Sequence, residues 1–256
     1  MFEYINLLGE GAFSKVYRIK LKESGEMLAC KVITEKKEAD REMRFLSSVN
    51  HALFPAYRGC YWWEGKYYLF MEYIAGCTLK ELVERRSGLK QKQIVRITEA
   101  LANGLSHIHE QNPPMLFRDI KPENVMIQQD GRVRLVDAGC ACLLEDAEGS
   151  RAGSRGYAAP EQLVINGRSG PESDVYALGK LIIYMSDNKR RWKRFSGGFK
   201  RLVEDMTGDE PNCRIPDMRI LLQRLSVYGD RINRKMYNRR KTLFYYEKNI
   251  RKSPGV

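Results

Sequence analysis

The 256-residue chain is predicted to be an α+β protein, with a small antiparallel β-sheet first and a larger, mainly helical part after it. Short apolar runs separated by glycine-containing turns, typical of strands, fill much of residues 4–73. A single helical pattern interrupts them at residues 35–49. From Thr78 onward the apolar residues recur at every third or fourth position, which indicates helices. Strands gathered in one part and helices in the other are typical of the α+β class.

The first two strands, within residues 4–19, are joined by a segment that begins Gly9-Glu10-Gly11. Glycines at such a turn let backbone N–H groups approach phosphate oxygens, because no Cβ stands in the way. Alone, this pattern fits a phosphate-binding loop and an ordinary hairpin turn about equally well.

The third strand, at residues 27–33, is apolar except for Lys31. A buried lysine is costly unless anions surround it. The sequence therefore predicts either acidic partners for Lys31 or a strand-edge lysine that reaches solvent. The helix at residues 35–49 follows, and two more strands are predicted at residues 57–73 around the Glu64-Gly65 turn.

The helical part is predicted to begin with residues 79–83 and to continue with a long helix over residues 90–109. His107 and His109, two of the three histidines in the chain, lie in this long helix and are predicted to be structural. A histidine general base is therefore poorly supported.

The stretch from Met115 to Gly139 organises the rest. Two short apolar runs, 125–127 and 133–136, flank an Asp130-Gly131 turn, which predicts a hairpin. The hairpin would bring together the polar residues before its first strand and after its second: Asp119, Lys121, Asn124 and Asp137. Asp and Asn oxygens are hard ligands that suit Mg²⁺, and a lysine is a point charge for a phosphoryl group.

This stretch resembles the catalytic loop and metal-binding motif of the eukaryotic-type serine/threonine protein kinases. Phe117-Arg118-Asp119 stands where His-Arg-Asp is usual, and Asp137-Ala138-Gly139 stands where Asp-Phe-Gly is usual. The segment Gly153-Ser154-Arg155-Gly156-Tyr157-Ala158-Ala159-Pro160-Glu161 is similar to the family's substrate-proximal loop, in wording closest to bacterial members. The motifs recur in the family's order over residues 4–225.

The resemblance implies a bilobal protein-kinase-like fold. The N-lobe would cover about residues 1–71, the hinge residues 72–76 and the C-lobe residues 77–225, with a basic tail at 226–256. The region after the central C-lobe helix is shorter than usual. Residues 143–152 are predicted to be a loop, Asp174 to hold the backbone of the catalytic loop, and Arg214 to pair with Glu161.

The resemblance also implies roles for single residues. The catalytic group would be Asp119, Lys121, Lys31 and Glu42, with Glu38 as the second candidate for the partner of Lys31. ATP would bind to Leu8, Gly9, Gly11, Val16, Ala29, Lys31, Met71, Glu72, Ile74 and Met126, together with Asn124 and Asp137, which would also hold Mg²⁺. Regulation would involve Arg118, Ser154 and a phosphosite at Ser150, with Glu148 as a constitutive substitute for that phosphosite.

Three functions follow from this resemblance. The first is ATP-dependent phosphorylation of serine or threonine in proteins, the chain itself included. The second is a nucleotide-binding pseudokinase scaffold, because Phe117 and Ala138 are unusual; the ring gained at 117 would partly replace the ring lost at 138. The third is a small-molecule kinase of related fold, since the region after Gly179 is short.

The net charge of +12 is unevenly placed. Residues 187–201 carry seven basic residues against one acidic, and residues 226–256 carry nine against two. The tail is predicted to be a solvated basic helix, an anchor for an anionic membrane surface, or a patch for an acidic partner; nucleic acid is the weaker alternative.

The six cysteines are scattered and are predicted to be reduced thiols, with redox sensing at Cys140 or Cys142 as the alternative. No long apolar run and no basic-then-apolar N-terminus is present, so a cytoplasmic protein is expected, with peripheral membrane association as the variant that the tail allows.

Overall fold

The computed structural model describes residues 2–11, 14–149, 151–186 and 192–228 and confirms the α+β bilobal prediction. The N-lobe is a five-stranded antiparallel sheet with the order β1-β2-β3-β5-β4. Its strands are β1 (Phe2–Glu10), β2 (Ser14–Leu21), β3 (Met27–Ile33), β4 (Tyr57–Trp63) and β5 (Lys66–Glu72). Helix α1 (Lys36–Ser48) lies between β3 and β4 in the sequence and packs against this sheet.

The C-lobe begins with β6 (Cys77–Thr78) and is mainly helical: α2 (Leu79–Arg86), α3 (Gln91–His109), α4 (Pro160–Leu163), α5 (Pro171–Ser186) and α6 (Gly197–Met206). Residues 218–228 form a further helix, α7. The boundary predicted between residues 225 and 226 therefore falls inside a helix. Of the described helices, none has the length and apolarity needed to cross a bilayer.

Short strands position the loops between the lobes. The predicted hairpin is present as β8 (Val125–Ile127) and β9 (Val133–Leu135), and β8 also pairs with β6 to complete a three-stranded sheet. Gly131 takes a φ of 84° at its turn, a conformation that favours glycine. A second small sheet pairs β7 (Met115–Leu116) with β10 (Cys142–Leu143).

The prediction of a plain loop over residues 143–152 was wrong at its start. Leu143 belongs to β10, and a 3₁₀ helix, Leu144–Ala147, follows it. The apolar residues Leu116, Cys142 and Ala147 form a small buried cluster here. These elements are stabilised by contacts with a distant strand, so the local sequence carries little sign of them.

The two faces of the N-lobe sheet are buried differently. Ala29, Leu69 and Met71 face α1 and join the main core, which continues into the C-lobe. The opposite face carries a separate apolar cluster around Ile19, Leu28, Cys30 and Phe70. No described helix covers this outer face, and its tyrosines are partly exposed.

Candidate active site

A cleft of about 360 Å³ separates the two lobes. Most of the residues predicted to bind nucleotide line it: Leu8, Gly9, Val16, Ala29, Lys31, Met71, Glu72, Ile74, Met126 and Asp137. Two predicted residues are not part of this lining: Gly11 lies against a cavity on the outer face of the sheet, and Asn124 is buried beside Asp119. Pro55, Glu123 and Val136 also line the cleft and were not predicted.

Lys31 is buried at the inner end of this cleft, as expected for a lysine that has acidic partners. Its Nζ lies 2.6 Å from Glu42 Oε2 on α1 and 2.8 Å from Asp137 Oδ1 beyond β9. Glu38, the second candidate, is farther away at 3.7 Å. Lys31 therefore joins both lobes through two carboxylates.

Burial and charge oppose each other in this cluster. Burial disfavours the charged Lys31, but Glu42 and Asp137 outweigh it, so the pKa of Lys31 is raised. Burial raises the pKa of Glu42 to about 7, although Lys31 pulls it down. Burial would also raise the pKa of Asp137, but the charge of Lys31 and its hydrogen bond outweigh burial, so the pKa of Asp137 is lowered. The Asp137 side chain is still 47% exposed to the cleft, so a metal can approach it.

A second network lies on the catalytic loop. Asp119 Oδ2 accepts a hydrogen bond from Lys121 Nζ at 2.8 Å, and its Oδ1 accepts one from the Ser154 hydroxyl at 2.8 Å. Lys121 Nζ also donates to Ser154 Oγ at 3.0 Å. Burial lowers the pKa of Lys121, but Asp119 more than compensates and the pKa is raised. Asp119, Lys121 and Ser154 are thus held together by mutual hydrogen bonds.

Asn124 is buried behind this unit. Its Nδ2 donates to the Asp119 carbonyl at 2.9 Å and to Asp119 Oδ2 at 3.1 Å. Because the amide nitrogen makes both contacts, the side-chain oxygen of Asn124 is turned away from Asp119. The residues predicted for magnesium thus offer hard oxygen atoms, as that ion requires.

Asp174, at the start of α5, fixes the backbone of the catalytic loop. Its carboxylate accepts hydrogen bonds from the N–H groups of Phe117 (2.9 Å) and Arg118 (2.8 Å). His109 Nε2 donates to the same carboxylate at 2.9 Å, which is a structural role for that histidine. Arg118 has a φ of 70°, a conformation unusual for an arginine. The two hydrogen bonds from the loop N–H groups to Asp174 support it.

Phe117 and Ala138, the two departures from the family pattern, are both buried in the main core. The Phe117 ring lies 5.8 Å from the ring of Phe45 on α1 and 6.0 Å from the ring of Phe54. The ring at 117 therefore connects the catalytic loop to α1 through aromatic contacts.

Glu161 and Arg214 form a buried ion pair in the C-lobe. Arg214 Nη1 and Nη2 donate to the two carboxylate oxygens of Glu161 at 2.7 and 2.8 Å. Burial would raise the pKa of Glu161, but the hydrogen bonds from Arg214 and Ser173 lower it. The segment that contains Glu161 is thereby attached to the connection between α6 and α7.

The buried Arg134 forms a second ion pair, which was not predicted from the sequence. Arg134 in β9 is buried, and it donates to Glu72 Oε1 at 3.0 Å and Oε2 at 2.6 Å, and to the Phe54 carbonyl at 2.9 Å. Glu72 Oε2 also accepts from the N–H of Ala56. A charged residue inside a short apolar strand is the signal that drew attention to Lys31, and it would have found Arg134 too.

The cysteines give little support to redox sensing. Burial raises the pKa of Cys140, and it raises that of Cys142 despite the neighbouring Arg118. Arg118 Nη1 donates to Cys142 Sγ at 3.1 Å. Thiols with raised pKa values are poor nucleophiles at neutral pH.

Two lobes of unequal size around a cleft, with a lysine–carboxylate cluster spanning them, define a bilobal phosphotransferase-type domain. The family comparison names the domain: the chain belongs to the protein kinase family, because the family model described as Protein kinase domain matches residues 2–209.

Individual relatives agree with this assignment. Serine/threonine-protein kinase 10 of Xenopus tropicalis is 32% identical over 200 residues, which is 73% of this chain and 21% of that protein. MAP kinase kinase MKK1/SSP32 of Saccharomyces cerevisiae is 33% identical over 205 residues, 73% of this chain and 39% of the relative. Human serine/threonine-protein kinase TAO2 is 30% identical over 199 residues, 74% of this chain and 16% of the relative. The chain thus spans well under half the length of these relatives.

Proposed function

We propose that this chain transfers the γ-phosphoryl group of ATP to serine and threonine hydroxyls of proteins, including its own. The observation that carries the proposal is the position of Lys31 Nζ, 2.6 Å from Glu42 and 2.8 Å from Asp137 in a single cleft. That arrangement places one cation between the two lobes where phosphates would lie. The serine/threonine kinases among the relatives support the same reaction.

Phosphoryl transfer depends on positioning and on neutralising charge. In this proposal Lys31, oriented by Glu42, aligns the phosphates. Asp137 and Asn124 hold Mg²⁺, which when bound neutralises phosphate charge. Two protein side chains do not fill an octahedral shell, so phosphate oxygens and water would supply the other ligands.

Asp119 is proposed to receive the proton of the acceptor hydroxyl. Its Oδ1 is already bonded to a hydroxyl, that of Ser154 at 2.8 Å, so the carboxylate is oriented to accept from an alcohol. Lys121 lies 2.8 Å from the other oxygen and would neutralise the moving phosphoryl group. Removal of a positioned base lowers a rate by about 10²–10⁴-fold.

The decisive experiment is autophosphorylation with labelled Mg²⁺-ATP. Wild type is compared with Lys31→Met, Asp119→Asn and, as a matched control, Lys22→Met, which changes an exposed lysine outside the cleft. We expect label on serine or threonine with wild type and Lys22→Met, and a loss of at least about 100-fold with Asp119→Asn. Equal labelling of all four proteins would refute the proposal.

The two rival functions give different results in the same set of measurements. Phe117 and Ala138 favour a pseudokinase scaffold. In that case wild type and Asp119→Asn would both bind ATP, and neither would transfer label. A small-molecule kinase would label aminoglycosides or sugars and leave a protein mixture unlabelled. The resemblance of residues 153–161 to a substrate-proximal loop favours proteins.

For regulation, we propose that Arg118 senses negative charge on the activation segment. Arg118 borders a cavity of about 570 Å³ in which basic residues outnumber the acidic Asp40 and Asp146; the other basic residues are Lys36, Lys37, Arg41 and Arg44. Ser150, the proposed phosphosite, lies outside the described residues. The variants Ser150→Ala and Glu148→Gln test the phosphosite and its acidic rival, and unchanged activity in both would exclude both ideas.

The localisation and the tail remain proposals. We propose a cytoplasmic protein whose tail binds an anionic membrane surface or an acidic partner. Residues 229–256 lie outside the described residues, and their basic composition supports the proposal. Liposome flotation with and without anionic lipid, on the full chain and on Arg239→Gln/Arg240→Gln/Lys241→Gln, tests the membrane proposal. Equal flotation of both proteins would refute it.

A further inference from the structure

A second cavity, of about 540 Å³, lies on the outer face of the N-lobe sheet, on the side opposite to the nucleotide cleft. Its wall is formed by Tyr4 of β1, Tyr17 of β2, Val32 of β3 and Tyr68 of β5. Successive residues of a strand point to opposite faces, so Val32 faces this cavity while its neighbour Lys31 faces the cleft. The volume lies in the range of small-molecule sites.

Three tyrosines supply both aromatic surface and hydrogen-bond donors to this cavity. The rings of Tyr4 and Tyr17 lie 4.9 Å apart in an edge-to-face arrangement. Within the part of the chain that the structure describes, the hydroxyls of Tyr4, Tyr17 and Tyr68 have no protein hydrogen-bond partner. Burial raises the pKa values of Tyr4 and Tyr68, and the nearby Glu64 carboxylate raises that of Tyr68 further, so both phenols stay protonated and can donate.

The charged residues that line the cavity are Glu10, Lys15 and Lys66, a net charge of +1, and Glu64 lies near Tyr68 without being part of the lining. Lys15 Nζ lies 3.0 Å from Glu10 Oε1, so these two charges compensate each other. Lys66 also lines the cavity and forms no ion pair with any described residue. One uncompensated ammonium and three phenolic donors around aromatic walls form a site for a planar ring that carries a negative charge.

We infer that this cavity, which we call the outer-face site, binds a small planar aromatic anion such as an aryl carboxylate or sulfonate. Gly11 and Ser14, at the two ends of the β1–β2 turn, also line it. The same two strands border the nucleotide cleft, β1 through Gly9 and β2 through Val16. A ligand in the outer-face site would therefore contact the same two strands that border the cleft and lower the KM for ATP; this second effect rests on the proposed function.

The test is calorimetric titration of the full chain with 2-naphthalenesulfonate, in the presence of saturating ATP so that the cleft is blocked. We expect one saturable site, and no binding of the uncharged 2-naphthalenemethanol. Lys66→Met and the ring-preserving Tyr17→Phe/Tyr68→Phe variant should each weaken binding about tenfold or more. Because phenylalanine keeps the ring, this variant leaves the packing of the sheet in place.

Matched controls separate this site from general adhesion. Lys22→Met removes an exposed lysine, and Tyr61→Phe removes a phenolic hydroxyl. Neither residue lines the cavity, so both variants should bind the ligand like wild type. Equal affinity in all four variants, equal losses in the controls, or binding abolished by ATP would overturn the inference. Binding is measured without catalysis, so a chain that fails to transfer phosphate still tests the site, and only the KM effect depends on activity.

Discussion

Phe117→Ala tests whether the aromatic contact between the catalytic loop and α1 stabilises the domain. The Phe117 side chain is 0% exposed, with the rings of Phe45 at 5.8 Å and Phe54 at 6.0 Å. Truncation of a buried phenylalanine costs about 3–5 kcal/mol, and each lost ring pair contributes about 0.5–1.5 kcal/mol beyond the buried area. Phe45 and Phe54 are themselves large and buried, so the cavity cannot collapse fully, and we expect a loss of about 4 kcal/mol.

Urea denaturation measures this loss, with tryptophan fluorescence and far-ultraviolet circular dichroism recorded together as a check on two-state unfolding. Tyr61→Ala is the matched control, because that ring is 65% exposed; it should cost about 1 kcal/mol or less. If Phe117→Ala costs no more than the control, the ring at 117 does not link the two elements and the reasoning fails.

Three further predictions concern buried groups near the site. Ala138→Phe adds a ring to a position that is 3% exposed and should cost about 1–3 kcal/mol in the same denaturation assay; a variant that is more stable and more active would contradict the idea that the ring at 117 occupies this space. Glu42→Gln should remove a pH dependence of the free energy of unfolding. The pKa of Glu42 is raised from 4.5 to about 7, so the stability that this carboxyl contributes is fully present below pH 4.5 and is lost as the pH rises through 7. The total change is about 3 kcal/mol. The difference between the urea midpoints at pH 5 and pH 8 should therefore be smaller in Glu42→Gln than in wild type. An equal difference in the two proteins would contradict the prediction. Arg214→Leu leaves the buried Glu161 carboxylate without its two strongest hydrogen bonds and should cost about 3–5 kcal/mol. Because the pKa of Glu161 is lowered, the pair stabilises wild type above the ordinary carboxyl pKa and loses its effect as the pH falls; thermal unfolding of the variant at pH 7 within about 1 kcal/mol of wild type would disprove this.

Long, strongly patterned elements could be predicted from the sequence. The apolar run with Lys31 is β3, Met27–Ile33, and the helical pattern at 35–49 is α1, Lys36–Ser48. Both are specified locally, by β-branched and apolar residues in the strand and by periodic burial in the helix. The paired strands 125–127 and 133–135 were predicted for the same reason, since a turn with Gly131 joins two apolar runs.

The identity of side-chain partners was harder to predict. Glu38 and Glu42 are four residues apart on one face of α1, so the helix alone does not decide which of them meets Lys31; the packing of α1 does, at 2.6 against 3.7 Å. Arg134 and Glu72 are 62 residues apart, and no local pattern connects them. Contacts of this kind depend on the tertiary fold.

The Arg134–Glu72 ion pair has a mechanical consequence for the segment that joins the lobes. Glu72, the last residue of β5, is tied to β9 by two hydrogen bonds from Arg134. Four residues later, Gly76 lies so close to the backbone of Ile127 that a Cβ there would be 2.4 Å from its carbonyl oxygen. Both ends of the connection are thus anchored to the C-lobe hairpin, and any opening of the lobes must be absorbed by backbone rotation at Tyr73, Ile74 and Ala75.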